Sequence, residues 1–540
     1  VPRCSSEQTI KNGFTYIPGI TWDILRNVNK ISSQPMACAA ESPVIVIGAG
    51  IGGLTVGALL AKQGYIVKIY EQANLPGGCA STFRRRGFIF DVGATQVAGL
   101  EAGGIHHRIF QELGIDPPNA TPCDPACAVF LPGETEPINV WRNPQKWQQE
   151  RQQQFPGSER FWQLLQTLFQ ISWRFQSRNP VLPPRNGWDV GQLLQALRPD
   201  TLLTTPFVGL TVGDALRLLG LGSDQRLKTF LDLQLKLYSQ VGADETALLY
   251  AATALSVSQA PQGLAHLQGS MQVLADRLGE GLKKQGGELL CRQRVEKIHT
   301  EKGKAIAVTV RDLKTGEVRR EVASQVIANL TVQNLVESVD VPLPGYQQRV
   351  KNLPPSSSAF VIYLGVTEAA IPPNCAPHLQ FLYDPQGPIG ENNSLFVSVS
   401  KPDDGRAPTG FRTIIASSFT DILPWWQDSP DQYQTRKAHY QQTAIARLGQ
   451  YFTLNDQTII HAESATPRTF AHFTARHQGI VGGVGQRLST FGPFGFAPRT
   501  PLRNLWLVGD SVHPGEGTAG VSYSALTIAR QICAQPTSTL

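Results

Sequence analysis

Three features of the sequence predict an α/β fold with one domain assembled from separated stretches of chain and a second domain of helices and antiparallel sheet set between them. A short apolar run, Val44–Ile47, enters the glycine-rich turn Gly48-Ala49-Gly50-Ile51-Gly52-Gly53. Strands of the same buried type recur far downstream, at residues 326–329 and 505–508, the last again running into a glycine-rich turn. Between them lie a long stretch of helical periodicity and a series of short, regularly spaced strands. With 41% hydrophobic and 17% charged residues, the 540-residue chain has ample material for a large core, which excludes global disorder.

The elements follow in order. Continuous apolar character at Val44–Ile47 is that of a strand buried on both faces of a parallel sheet. A helix over 54–63 closes on Gly64, and a strand over 66–70 ends on Glu71, completing a βαβ unit. The uncharged stretch 42–61 is long enough to span a bilayer, but its five glycines and the βαβ context make it a buried strand, turn and helix. Phe161, Leu164, Leu165, Leu168 and Phe169 fall at helical spacing, as do Leu227, Phe230, Leu231 and Leu235. Residues 150–260 therefore read as mostly helical, with turns at Asn179-Pro180 and Pro183-Pro184.

A helix over 272–285 precedes Gly286-Gly287 and a meander at 294–298, 305–312 and 317–322. Strands at 360–366, 379–383, 395–400 and 413–419 suggest an antiparallel sheet with one covered face. A polar-faced helix over 432–452 follows, and the chain closes with the strand 505–508 and a helix over 522–533. The expected organisation is a discontinuous first domain over 42–130, 265–335 and 490–533, and a second over 131–264 (mostly helical) and 336–489 (sheet plus helix). Residues 534–540 form a tail. The chain begins at Val1, and Met36 stands just before the first strand, so residues 1–35 are expected to lie upstream of the native start and 1–41 to be a poorly ordered extension.

Gly48-x-Gly50-x-x-Gly53 after a strand, opening a helix and followed by Glu71 at the next strand end, is the context a dinucleotide-binding turn requires. Gly48 permits the tight turn, Gly50 lets backbone approach a pyrophosphate, and Gly53 packs helix against strand. The helix N-terminus offers N–H donors and partial positive charge. Glu71 would accept from an adenosine ribose and repel a 2′-phosphate. The glycine pair Gly77-Gly78 just beyond Glu71, and Gly509-Asp510 with the turn Gly517-Thr518-Ala519-Gly520 at the last strand, select FAD among dinucleotides. An Asp at that strand end can bond the ribityl chain, and backbone amides at the following helix face the flavin edge where charge accumulates on reduction. Gly482-Gly483-Val484-Gly485 lacks the spacing and trailing acid of a second dinucleotide turn, so no separate nicotinamide domain is expected.

Gly77-Gly78, the run from Gly87 through Ala94 and His513-Pro514-Gly515-Glu516-Gly517 resemble the FAD-dependent carotenoid and phytoene desaturase superfamily, of flavin amine-oxidase-like fold, over about residues 42 to 533. Residues 76–82, 91–100, 103–107 and 509–524 most resemble its cyanobacterial-type carotenoid C-3′,4′ desaturase branch, with carotenoid isomerases as near relatives. Many members carry Arg after the glycine pair; here it is Cys79, which weakens an amine-oxidase reading. The resemblance adds Ile51, Gly52, Gln72, Thr82, Gly93, Ala94 and Val295 to the FAD residues. It implies introduction of a C=C bond into a carotenoid, with hydride passing to the flavin, a neighbouring carbon losing a proton, and electrons leaving to a quinone or oxygen. His513 and Glu516 would lie near the flavin, either relaying that proton or only shaping the loop. Two alternatives stand beside desaturation: cis-trans isomerisation with reduced FAD, and a lipid-binding protein on the same scaffold, against which the retained phosphate turn, Glu71 and Asp510 argue.

Composition closes other classes. The net charge of +6 is mild and no basic block interleaves with aromatics, so nucleic acid is not an expected partner. Eight Cys, with only Cys123 and Cys127 close, make neither a disulfide framework nor a zinc site, and no metal is expected. The N-terminus has no apolar core of a secretory signal, and no transmembrane span is expected. The aromatic loops 421–426 and 491–496 either dip into a bilayer interface or are buried in the second domain. The expected location is the cytoplasmic side of a membrane, peripherally attached.

Overall fold

The structure, a computed structural model, describes residues 42–535. The expectations for residues 1–41, and for the end of the tail, lie outside the described residues. A five-stranded parallel sheet runs in the order Leu505–Leu507, Gln325–Ala328, Val44–Ile47, Val67–Glu71, Glu288–Cys291. Its strands come from three widely separated stretches. The edge strand Glu288–Cys291 follows Gly286-Gly287, where sequence reading passes directly to the meander.

Alternation along the central strands sorts side chains to two faces. Val44, Val46, Ile69 and Ile327 pack under the helices Ile51–Lys62, Gln272–Lys284 and Thr518–Cys533. Ile45, Ile47, Tyr70 and Val326 face the meander Gln293–Glu301, Lys304–Asp312 and Val318–Val322. Both faces are covered, which is why these strands read as continuous apolar runs. The uncharged stretch is indeed a buried strand, turn and helix, and no helix among the described residues is long and apolar enough to cross a membrane.

The second sheet has seven strands, ordered Ile459–Ala465, Ser358–Thr367, Phe411–Thr420, Ser394–Val399, His378–Leu382, Cys127–Phe130, Ile138–Val140. The four strands expected from the sequence pair antiparallel, and the sheet is extended beyond them by Ile459–Ala465 on one edge and, parallel to His378–Leu382, by Cys127–Phe130 on the other. One expectation is corrected: both faces are covered, and Ser358–Thr367 is buried at every position before Thr367. Phe360, Ile362 and Leu364 pack with Trp425, Ala444 and Leu448 under the helix Pro430–Leu448, while Val361 and Tyr363 pack on Phe88 and Phe90 of the strand Phe88–Asp91. That helix ends at Leu448 with Gly449 as its C-cap, before the expected 452, and Phe452 reaches the same core from the turn beyond it. The helical half is as expected, with Glu159–Ser177, Gln225–Ser239 and Leu248–Ser256 sharing a core around Phe161, Phe230 and Leu231.

A buried ion cluster links the two sheets' surroundings. Arg406, 2% exposed, donates Nε and Nη2 to Asp91 Oδ2 at 3.1 and 3.0 Å, and Nη1 to Asp404 Oδ2 at 3.1 Å and to the Leu267 carbonyl at 2.8 Å. Asp91 ends the strand Phe88–Asp91, just before the Gly93-Ala94 bend, and its Oδ1 accepts from the Met271 N–H at the start of Gln272–Lys284. His266 Nε2 lies 2.9 Å from Asp404 Oδ2.

Candidate cofactor and substrate site

The glycine-rich turn is built around a residue that sequence reading leaves unassigned. Asn329, at the end of Gln325–Ala328, donates Nδ2 to the Gly48 carbonyl at 3.3 Å. A Cβ at Gly50 would stand 2.7 Å from that Nδ2, and one at Gly52 3.0 Å from the Asn329 Oδ1. A Cβ at Gly53 would fall 2.1 Å from the Gly48 carbonyl oxygen, so helix and turn meet only with glycine there. The turn is therefore fixed from two sides: the glycines bring helix and strand together, and Asn329 fills the remaining gap.

The helix Ile51–Lys62 has Gly50 as N-cap and no side-chain cap, and Thr518–Cys533 likewise begins after Gly517 with none. Both sets of first-turn N–H groups thus lack a side-chain acceptor, the condition in which a helix end receives an anion. Gly517 has φ +84° and nothing within 4 Å of a Cβ position, because it opens onto a cavity. Glu71 Oε2 accepts from the Ala49 N–H at 2.7 Å and Oε1 from the Ala73 N–H at 2.8 Å, which aims the carboxylate at the end of its strand. Burial pushes this carboxyl above the usual range, against those two N–H bonds. These features fit a dinucleotide laid across the carboxyl ends of the parallel sheet, pyrophosphate toward the helix ends and ribose toward Glu71.

The cavity measures about 1690 Å³. Of the residues expected at the cofactor, Gly48, Gly50, Ile51, Gly52, Glu71, Gln72, Gly77, Gly78, Thr82, Gly93, Ala94, Val295, Gly509, Asp510 and the turn Gly517 to Gly520 all line it. Gly53 does not; it is spent on helix–turn contact. Beyond this polar half the same cavity continues between Trp173 and Phe175 of the helix Glu159–Ser177, Leu237 and Tyr238 of Gln225–Ser239, and Phe396 and Phe419 from the large sheet. Phe161, Trp162 and Phe169, on the same helix as Trp173, are core instead. The division runs along the helix, from core at its N-terminal turns to cavity wall at its C-terminal turns, and composition alone carries no trace of it.

His513 and Glu516 both line the cavity. Burial depresses His513 to about 4, so its imidazole is neutral at physiological pH. Its Nε2 lies 2.9 Å from Gln176 Nε2, its ring meets Tyr523 and Phe491, and Nδ1 is buried with no hydrogen-bond partner. Glu516 Oε2 accepts from Gln240 Nε2 at 2.7 Å, while Oε1 is buried without a partner. Burial, reinforced by Asp510, raises this carboxyl to about 8, against the opposing pull of Gln240 and Arg476. A carboxyl of that kind exchanges a proton near neutral pH, which an ordinary surface glutamate cannot do. Gln176, Gln240 and Asn329 line the same cavity, and no local motif announces them.

The two aromatic loops divide. In 421–426, Trp425 is buried while Leu423 and Trp426 are 62% and 43% exposed; in 491–496, Phe496 is buried and Phe494 is 54% exposed. Phe494, Leu202 and Val208, like Leu75 and Phe473, are at once exposed and cavity-lining, so the cavity reaches the surface at these residues.

A family model described as flavin containing amine oxidoreductase matches residues 51–533. A chloroplastic prolycopene isomerase 2 of an Oncidium hybrid cultivar is 28% identical over 518 residues, covering 92% of this chain and 84% of its own. A zeta-carotene-forming phytoene desaturase of Myxococcus xanthus is 23% identical over 505 residues, covering 91% and 93%. Among solved structures, an oxidoreductase from Methanosarcina mazei superposes with a TM-score of 0.59 at 17% identity, over 90% of this chain and all of that one.

Proposed function

The chain belongs to the flavin containing amine oxidoreductase family and takes FAD as its cofactor, and on that premise we propose that it is a carotenoid desaturase, introducing a C=C bond of the C-3′,4′ type. The observation that carries the proposal is one cavity of about 1690 Å³ lined both by the glycine-rich turn after Val44–Ile47 and by apolar, aromatic side chains. Such a cavity suits a long polyene lying beside a flavin, and it exceeds what most drug-sized ligands need. The cofactor, when bound, accepts the hydride. What the chain supplies is exclusion of water from the polyene, through Trp173, Phe396 and Phe419, and a group to take the departing proton. We assign that role to Glu516, with its unpartnered Oε1, and treat His513 as a neutral neighbour that shapes the loop and can relay the proton. Electrons then leave to a quinone or oxygen, in keeping with the absence of a second dinucleotide turn from the sequence.

A second reading, redox-neutral cis-trans isomerisation, is favoured by the 28% identity to prolycopene isomerase across 92% of the chain. Co-expression with carotenoid-producing enzymes separates the two by pigment mass and absorbance. Desaturation yields a product two hydrogens lighter with a red-shifted spectrum. A product of unchanged mass with altered retention and band shape would replace desaturation by isomerisation.

Carotenoid this apolar must be collected from lipid, and we place peripheral membrane contact at the opening marked by Leu202, Val208 and Phe494. Leu194 and Leu203, adjacent in sequence to the cavity-lining Leu193 and Leu202, are 62% and 67% exposed. Arg349, which donates to the Phe494 and Gly495 carbonyls, sets positive charge beside it. Replacing Leu202, Leu203 and Phe494 together by serine is expected to reduce co-sedimentation with anionic vesicles about tenfold while leaving bound FAD unchanged. Equal sedimentation of variant and parent would remove this surface from consideration.

A further inference from the structure

Two peculiarities of the sequence converge at one point of the cavity. Cys79 occupies the position after Gly77-Gly78, and Gly482-Gly483-Val484-Gly485 is a glycine cluster without the spacing of a dinucleotide turn. In the structure that cluster lies against the Gly509-Asp510 loop: a Cβ at Gly483 would stand 2.1 Å from the Asp510 carbonyl oxygen, and one at Gly482 2.5 Å from Glu516 Oε2. The close approach brings in Arg476, which stands after the helix Pro467–Thr474 and lines the cavity.

The Arg476 side chain is 17% exposed and its fork is only partly used. Nε donates to the Ile480 carbonyl, and Nη2 to the Gly482 carbonyl and, at 2.7 Å, to Asp510 Oδ2. Nη1 donates to no described residue. Cys79 lies within electrostatic reach of both Arg476 and Asp510, and all three line the same cavity. A guanidinium locked by two carbonyls and a carboxylate, with one free NH₂ edge in the wall of a cavity that also takes in two helix starts without side-chain caps, is organised for a phosphate.

We propose that Arg476 is a cofactor-binding residue, the cation that faces the FAD pyrophosphate from the side opposite the helix Ile51–Lys62, in the place that Cys79 leaves without charge. The role rests on FAD being the cofactor, and it adds to the cofactor site a segment more than four hundred residues away in sequence from the glycine-rich turn. Asp510 and the two carbonyls fix the fork; the free edge is what the ligand meets. The glycine cluster exists to let this segment come close.

The test is flavin titration of the stripped full-length chain, comparing FAD with riboflavin, which has no phosphate. Loss of a charge-assisted contact should weaken FAD binding by Arg476→Gln about 10–100-fold. Riboflavin affinity should change by less than about threefold, since the lost contact is to phosphate only. A merely structural role, holding Asp510 and the loop, would weaken both ligands alike and leave their ratio unmoved, which overturns the proposal. Unchanged FAD affinity also overturns it. Should Arg476→Gln fail to fold, the same ratio is read in Arg476→Lys, whose single ammonium cannot hold Asp510 and reach a phosphate together; a ratio equal to the parent's is then decisive against the assignment. Adding Cys79→Arg to the Arg476→Gln chain is expected to restore part of the FAD preference. A parent chain that binds neither flavin would instead refute the cofactor itself, a separate outcome.

Discussion

Replacing Arg406 by methionine is expected to destabilise the chain by about 3–5 kcal/mol, the cost of leaving buried carboxylates without their partner. Asp91 and Asp404 are 1% and 3% exposed, so solvent cannot take over when the guanidinium is gone. Each Asp keeps its backbone donors, Met271 for Asp91 and Lys401 and Arg406 for Asp404, but those do not cancel a full charge in a low-dielectric interior. The denaturant midpoint of the variant should fall without a change in slope. Asp91→Asn in the same chain should recover part of the loss, because it removes one stranded charge. A double-mutant cycle with additive costs would show that the two groups do not interact as their geometry requires. The consequence reaches the cofactor: Asp91 immediately precedes Val92-Gly93-Ala94, which line the cavity, so retention of FAD through gel filtration should fall in parallel.

That cluster also marks where sequence reading stops. The βαβ unit, the strands that return to the parallel sheet and the glycine turns were legible because each depends on residues close in the chain: apolar runs, glycines at fixed offsets, an acid at a strand end. Arg406 meets Asp91 from 315 positions away, and nothing near either residue distinguishes it from a surface charge. Asn329 belongs to a strand that was legible, but its work is done on Gly48, 281 positions earlier. The parallel pairing of His378–Leu382 with Cys127–Phe130 is of the same kind. Short strands such as Ile138–Val140 carry too few residues for a period, and Ile459–Ala465, half exposed at the sheet edge, mixes apolar and polar residues without a clear alternation. The division of one helix's aromatics into core and cavity wall depends on what packs against each end of that helix, since Phe169 and Trp173 share a face. Local geometry is written locally; the surroundings of the cavity are written in contacts.

Glu516→Gln is expected to lower turnover about 10²–10⁴-fold, the range of a lost general base or acid, with FAD still bound. The amide can keep the bond to Gln240, so the loop need not move. Its effect on pH dependence distinguishes the two chemistries. Desaturation needs the carboxylate form to take a proton, so the rate should rise with pH through about 8, where Glu516 ionises. Isomerisation by proton donation needs the acid form, and its rate should fall across the same interval; in either case the Gln variant should be flat there. Stability supplies an independent reading with a fixed sign. Unfolded, the carboxyl ionises near its ordinary 4.5, whereas folded it holds its proton until about 8. Between those values the folded state binds the extra proton, so the stability of the stripped chain falls as pH rises, by up to about 1.4 kcal/mol per unit, and levels off above 8. The variant lacks that slope. Its denaturation midpoint should therefore gain on the parent's from pH 5 to 8, and a constant difference would mean that Glu516 is already ionised in the fold and cannot serve as the proton-exchanging group.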